Sequence, residues 1–331
     1  MLVPFLLVPL AAAEPPAPPP SVALTVAQES DTRWRMRVEN RGPVPVRLAA
    51  DARLLSLDVT APGAKKALHC VLPADMRPAN GYDRELVLPP QRAFAETFDP
   101  RLYCFGAKEE AALVPGASVV AHLGWPAPAR AQRLTSPFVL EPIEGVTPPV
   151  APAKEIASAP WTIAALAPTP TPTPTPYSDE TPDKLEVSSL PHEDAERGVD
   201  VSVAVTVANR GTRAVTVLVR PETLAFDVQG PGGAVRCGGT RAVDAPIREL
   251  YTTLAPGTHT SVRLLLDDMC PDKTFDRAGL YVVRALLDTR RASARGLGVR
   301  TFDGVAVAPV TTQVRIRQAR KPSLPPRPAL E

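Results

Sequence analysis

One folding unit is written twice in this chain, and that duplication limits the fold more than any other feature. The first copy runs Val38-Glu39-Asn40-Arg41-Gly42, then Leu55 to Gly63, then Cys70 and Cys104. The second runs Val207-Ala208-Asn209-Arg210-Gly211, then Leu224 to Gly232, then Cys237 and Cys270. The offset between matching positions drifts only from 169 at the asparagine to 166 at the second cysteine. Agreement in order and spacing of this kind implies two modules of one architecture. Each spans on the order of 125 residues, enough to bury one ordinary core.

The local pattern within each copy is that of strands. Trp34, Met36 and Val38 alternate with arginines, Val44, Val46 and Leu48 follow the Asn40-Arg41-Gly42 turn, and the second copy repeats this with Val201 to Val207 and Val215 to Val219. Period-two alternation rich in β-branched residues marks sheets with one wet face. Strands of five to eight residues with turn signals every ten or so, and no helical stripe, predict an all-β chain: two antiparallel β-sandwich domains.

Asn-Arg-Gly between alternating strands, Leu254-Ala255-Pro256-Gly257 ahead of another, and Gly279-Leu280-Tyr281 opening a late strand resemble bacterial immunoglobulin-like sandwich domains. Among these the chain is similar to the extracytoplasmic and BsuPI-like types, in tandem. The resemblance implies an immunoglobulin-like fold in both copies, with Tyr281 as a tyrosine corner, and it admits protease inhibition as a family activity. The first copy has no equivalent of Tyr281 and offers Val114-Pro115-Gly116 instead, while Trp34 has Val203 as its counterpart.

Four cysteines permit three pairings. Duplication selects one, because a module must have closed its own bridge before it was copied: Cys70 with Cys104, and Cys237 with Cys270. Each loop closure contributes on the order of 3–4 kcal/mol by restricting the unfolded chain, and only in an oxidising compartment. Zinc would need close Cys-x-x-Cys pairs, which the sequence lacks. The apolar run Met1 to Ala13, closing on Ala11-Ala12-Ala13, reads as an export signal. No later stretch reaches the ~20 apolar residues of a spanning helix.

Proline, 41 of 331 residues, belongs in linkers, edges and turns because it has no N–H to donate. The alternating Pro168 to Pro176 tract favours polyproline II, rising about 3.1 Å per residue, and predicts a stiff spacer holding the modules apart. Within the same region Ile156 to Leu166, with Trp161, is mildly apolar and could dock onto a module. The expected organisation is a signal peptide over 1–13, a leader over 14–20, a first sandwich over 21–146, a Pro/Thr-rich linker over 147–183, a second sandwich over 184–317 and a basic, proline-rich disordered tail over 318–331.

Chemistry-bearing motifs are scarce. His69, His122, His192 and His259 have no histidine three or four residues away, the spacing a metal pair on one helix or hairpin would use. His192 leads the acidic run Glu193-Asp194, which reads as a solvated entry to the second module. Asp267-Asp268 with Asp272 suggests calcium weakly, since the first copy keeps a single acid at Asp99. Arg290 to Arg295 reads as a wet basic loop. No nucleophile elbow or phosphate-cradling loop is present. A formal net charge of +2 gives no basic face for nucleic acid. The expectation is an exported, non-catalytic binding or scaffolding protein of the cell envelope, periplasmic or secreted. Its partner would be a protein or an envelope polymer, with no cofactor, no metal, no nucleic acid and no membrane span. The rival is a proteinase inhibitor or chaperone-like accessory acting through a loop or edge strand. The site residues expected are the four disulfide cysteines, Cys70, Cys104, Cys237 and Cys270.

Overall fold

Alternation along the sequence becomes two-sided strands. The computed structural model describes residues 22–78, 85–124, 140–141, 143–147, 152–165, 184–239, 247–290, 297–298 and 300–320. In it Trp34, Met36 and Val38 are buried while Arg33, Arg35 and Arg37 stay exposed. The export signal, the leader, the Pro168 to Pro176 tract, the basic residues Arg291 and Arg295 and the tail from Lys321 onward lie outside the described residues.

The first copy contributes β1 (Val22–Ser30), β2 (Arg33–Asn40), β3 (Val46–Ala49), β4 (Leu55–Thr60), β5 (Leu68–Val71), β6 (Glu85–Leu88), β7 (Ala93–Phe98), the one-turn helix α1 (Ala107–Glu110), β8 (Ser118–Gly124), β9 (Leu140–Glu141), β10 (Glu155–Ala157) and β11 (Trp161–Thr162). One sheet has the order β1-β2-β7; the sheet across the core has β10-β8-β4-β5, with β11 also on β8; β6-β3-β9 forms a third, small sheet. Both large sheets send side chains into one cluster: Trp34 and Met36 from β2, Leu57 and Val59 from β4, Ala121 and Leu123 from β8. Trp34 anchors it, with Phe98 and Trp161 edge-on at 6.1 and 4.8 Å.

The second copy supplies β12 (Leu185–Ser189), β13 (His192–Arg197), β14 (Ser202–Asn209), β15 (Val215–Val217), β16 (Leu224–Gly230), β17 (Gly233–Gly238), β18 (Thr252–Leu254), β19 (His259–Leu265), β20 (Gly279–Asp288), β21 (Val305–Val307) and β22 (Thr312–Gln318). Its sheets are β12-β14-β19 and β13-β22-β20-β16-β17, with β21 also on β20 and a short β15-β18 pair beside them. They enclose a separate core of Val203, Val205, Phe226, Tyr281, Val283 and neighbours. The chain is all-β, folded as two sandwiches.

The antiparallel expectation has one exception among the named strands. β13 runs parallel to β22, with His192 opposite Gln313. The step at Leu190-Pro191 carries the chain from one sheet to the other, and it is pinned there: the Thr312 hydroxyl donates to Leu190 O at 2.7 Å, and Gln313 N donates to Pro191 O at 2.7 Å.

The ends of the two copies correspond. β10 and β11 pair with β8 as β21 and β22 pair with β20; Ser158 N donates to Ala121 O as Ala308 N donates to Ala285 O. The last strands of the first sandwich therefore come from Glu155 to Thr162, within the region that the sequence reading gives to the linker. Ile156 and Ile163 are buried there, which is the docking that this apolar segment suggested.

Two motif residues show their purpose at the turns. Asn40, fully buried, donates its amide to Val44 O (2.7 Å) and Leu88 O (3.0 Å) while its Oδ1 accepts from Gly42 N. Asn209 does the same with Arg213 O, Leu254 O and Gly211 N. One side chain thus ties its own turn to a neighbouring strand in both copies. Tyr281 donates its hydroxyl to Arg277 O, four residues upstream, at 2.8 Å, the contact that defines a tyrosine corner.

Candidate functional site

The four cysteines lie where the modules are stitched. Cys70 on β5 is joined to Cys104, just past the 3-10 turn Pro100–Leu102, and Cys237 on β17 to Cys270 beyond β19. Each bridge ties an edge strand to the segment leaving the opposite sheet. In the first module the bridged segment is a stiff loop. Asp99 caps its 3-10 turn and holds Arg101 through two side-chain bonds of 3.1 and 2.7 Å, and Tyr103 donates its hydroxyl to the buried Ala52 carbonyl at 2.7 Å. Burial pushes the Tyr103 hydroxyl far above its ordinary pKa, helped by the fields of Asp51 and Glu96.

This loop meets the second module. Arg315 on β22, 9% exposed, binds Asp194 on β13 through Nη2 at 2.5 Å, donates Nη1 to Leu102 O at 3.3 Å, and lies 4.2 Å over the Phe105 ring. His192 stands edge-on to Phe105, its Nε2 2.8 Å from Glu110 Oε2. The other Glu110 oxygen accepts from the Gln313 amide, and Arg317 reaches Asp75 at 3.5 Å. A planar guanidinium stacked on a ring and paired with a carboxylate is favoured at a boundary of this kind because it is weakly hydrated and always charged.

The joint corrects two sequence readings. His192 is not part of a solvated lead-in: parallel pairing of β13 with β22 puts 192, 194, 313 and 315 on one outward face, and the bridged loop covers His192, Gln313 and Arg315 while Asp194 keeps an exposed edge. The modules also touch directly, rather than standing apart. A near-polar strand in which only Ala195 is buried carries no periodic signal, so the sequence could not disclose this contact.

The remaining candidates are placed as follows. His69 and His122, distant in sequence, come together across strands on either side of Asp58, at 2.7 and 3.3 Å, and His122 also reaches Glu155. Register brings them together, since Asp58 lies opposite His69 on β5 and diagonal to His122 on β8. His259 is exposed on β19. Asp267, Asp268 and Asp272 occupy turns after β19. Among the described residues no group of three or more His, Cys, Asp or Glu side chains is arranged to hold a metal ion. Arg290 pairs with Asp288, whose carboxyl those hydrogen bonds hold below its usual range. Among the described residues no helix is long and apolar enough to cross a membrane.

Beside the joint, a cavity of about 380 Å³ opens in the first module, bordered by Trp34, Asp31, Arg101 and Glu110. Neither sequence pattern nor motif pointed to it; the one available signal was Trp34 standing where the second copy has Val203.

No protein-family model matches the sequence, and no curated protein matches it. Solved structures similar to the chain include the human OSCAR ligand-binding domain, 12% identical, with 90% of this chain and 96% of that chain covered at a TM-score of 0.13. A bacterial adhesin from Mobiluncus mulieris containing intramolecular disulfide, isopeptide and ester bond cross-links is also 12% identical, with 91% and 100% covered at a TM-score of 0.15. Superpositions at these scores carry no weight for fold or activity.

Proposed function

We propose that this is an exported, non-catalytic binding or scaffolding protein of the cell envelope, whose two disulfide-pinned, immunoglobulin-like modules act as one preset pair. The observation that carries the reading is the bridged loop from Asp99 to Glu110, which uses one end to close its own module and the other to dock the second. Disulfides favour an oxidising compartment. Fixing two modules in one orientation lowers the ordering cost of engaging a partner across both. Three histidines that could serve chemistry are instead engaged by carboxylates in strand-to-strand or module-to-module contacts. The tandem kinship with extracytoplasmic and BsuPI-like modules and the export signal at 1–13 belong to the same proposal, as do the module and linker boundaries.

Fractionation of expressing cells, followed by non-reducing peptide mapping and cross-linking in intact cells, tests it. The expected result is protein outside the cytoplasm, bridged within each module and cross-linked to an envelope component. Cytoplasmic protein with free thiols would refute the reading.

A further inference from the structure

The two copies share a sheet and differ on its wet side. On β2 the outward positions are Arg33, Arg35 and Arg37, whereas the matching positions of β14, 169 residues later, are Ser202, Ala204 and Thr206. The inward positions between them are apolar and buried in both copies, so packing of the core does not account for three arginines in one copy alone.

Register fixes what stands beside the row. Arg35 lies between Ala27 on β1 and Thr97 on β7, and Arg37 between Thr25 and Ala95. These neighbours are short and exposed, so the sheet leaves the guanidinium planes open. Residues two apart on one side of a strand are separated by about 7 Å, which makes the arginines a regular row of cations. Two carboxylates answer it: Glu29 takes Arg33 at 3.0 Å and Arg35 at 2.6 Å, and Glu39 takes Arg37 and Arg41 at 3.0 Å each. Four cations share two anions, so this face holds a surplus of two positive charges. Asp31, in the turn between β1 and β2, borders the Arg101 cavity instead. The four arginine side chains are 44–62% exposed. Exposed pairs contribute only ~0–1 kcal/mol, and a guanidinium engaged by one carboxylate keeps N–H groups for another.

Chemistry selects the partner. A peptide docks on a free sheet edge or in side-chain pockets, and β2 is the middle strand of its sheet with methyl-sized neighbours. Single-stranded nucleic acid stacks on aromatic rings, and the outward positions of β1, β2 and β7 hold none. A planar carboxylate matches the guanidinium fork through two parallel bonds. A chain of uronic acids repeats such carboxylates on a stiff backbone, and its C–H faces can lie on Ala27, Ala95 and the threonine methyls. We propose that the outward face of β1-β2-β7 binds a linear acidic polysaccharide, its carboxylates held by Arg33, Arg35 and Arg37. The proposal rests on the binding reading above and names the ligand class. Ser202, Ala204 and Thr206 offer no cation, so one such face per chain follows.

Calorimetric titration of the full, oxidised chain with a hexamer of galacturonic acid tests it, with the methyl-esterified hexamer and a polyphosphate of equal charge as comparisons. Two variants that lose the same charge separate the row from the overall field of the chain: Arg35→Gln/Arg37→Gln on β2, and Arg197→Gln/Arg210→Gln in the second module. All four side chains are exposed, and a thermal transition checks each fold. The expected result is saturable binding of the acidic hexamer, undiminished in the second-module variant and at least ~10-fold weaker in the β2 variant; tenfold corresponds to about 1.4 kcal/mol. The esterified hexamer should not bind, and polyphosphate should bind more weakly. No saturation by about 1 mM hexamer, equal weakening in both variants, or polyphosphate binding as tight as the acidic hexamer would each overturn it. Should the β2 variant fail to fold, the three ligands compared on the wild type still decide. Failure here leaves export and envelope cross-linking as a separate question, answered by fractionation.

Discussion

Asn40 and Asn209 show how much a single side chain can carry in this fold. Each is buried and makes three hydrogen bonds to the backbone of its own turn and of a neighbouring strand. Replacing one with alanine strands two carbonyls and an amide, at a cost of about 3 kcal/mol. Denaturant titration of Asn40→Ala and Asn209→Ala should each show loss of that size, and a loss under about 1 kcal/mol would contradict the clamp. Gly230 is constrained by shape instead of conformation: a Cβ there would run into the Tyr281 ring. Tyr103 makes a prediction in pH. Its folded value is raised by burial, so its contribution is complete below the unfolded tyrosine value of about 10 and declines as pH rises past it, when only the unfolded state gives up the proton. Stability measured from about pH 9 to 11 should fall more steeply in the wild type than in Tyr103→Phe, and parallel curves would rule this out.

Among the strands, β10 and β11 decide where the first module stops. Ser158 N donates to Ala121 O on β8 at 2.8 Å and Ile163 N to Ala117 O just ahead of it at 2.9 Å, and Ile156 is buried. Native-state hydrogen exchange should therefore protect the Ser158 and Ile163 amides together with those of β8. Ile156→Asp, which buries a charge, should destabilise the first module by about 3–5 kcal/mol; free exchange at both amides would return this segment to the linker. What the sequence disclosed and concealed follows the same physics. β2, β4 and β14 were legible because each has one wet and one dry face, written as alternation around Trp34, Leu57 and Val205, and β20 because it is a nearly continuous apolar run opening on Gly279-Leu280-Tyr281. β10 and β11 were obscured because each is two or three residues long and Pro152 and Pro160 flank them. β13 was hidden because His192 to Arg197 buries a single alanine and depends on β22 for its backbone partners. The pairing of cysteines could be reasoned from duplication, whereas the cavity at Trp34 and the joint at Arg315 are products of long-range packing that no local pattern records.

At the scale of the molecule, the two sandwiches are held by a small, charged contact. Arg315 joins Asp194, Leu102 O and Phe105, while Glu110 gathers His192 and Gln313. A short tether supplies roughly millimolar effective concentration, so a contact worth about 6 kcal/mol keeps the modules docked nearly all the time. Removing Arg315 deletes its stacking on Phe105, its bond to Leu102 O and its ion pair with the partly exposed Asp194, contacts that together cost about 2–3 kcal/mol, enough to open the joint in a large share of molecules. Neither the bridges nor the two cores use the Arg315 side chain, so Arg315→Ala should unfold at nearly the wild-type midpoint while its modules move apart. Small-angle X-ray scattering of the wild type and Arg315→Ala, side by side, measures this most directly. A compact wild type with a single maximum in its distance distribution, and a larger variant with a second maximum at longer distance, is the predicted result. Identical profiles for the two proteins, or a wild type already extended, would contradict the account of two modules joined into one body.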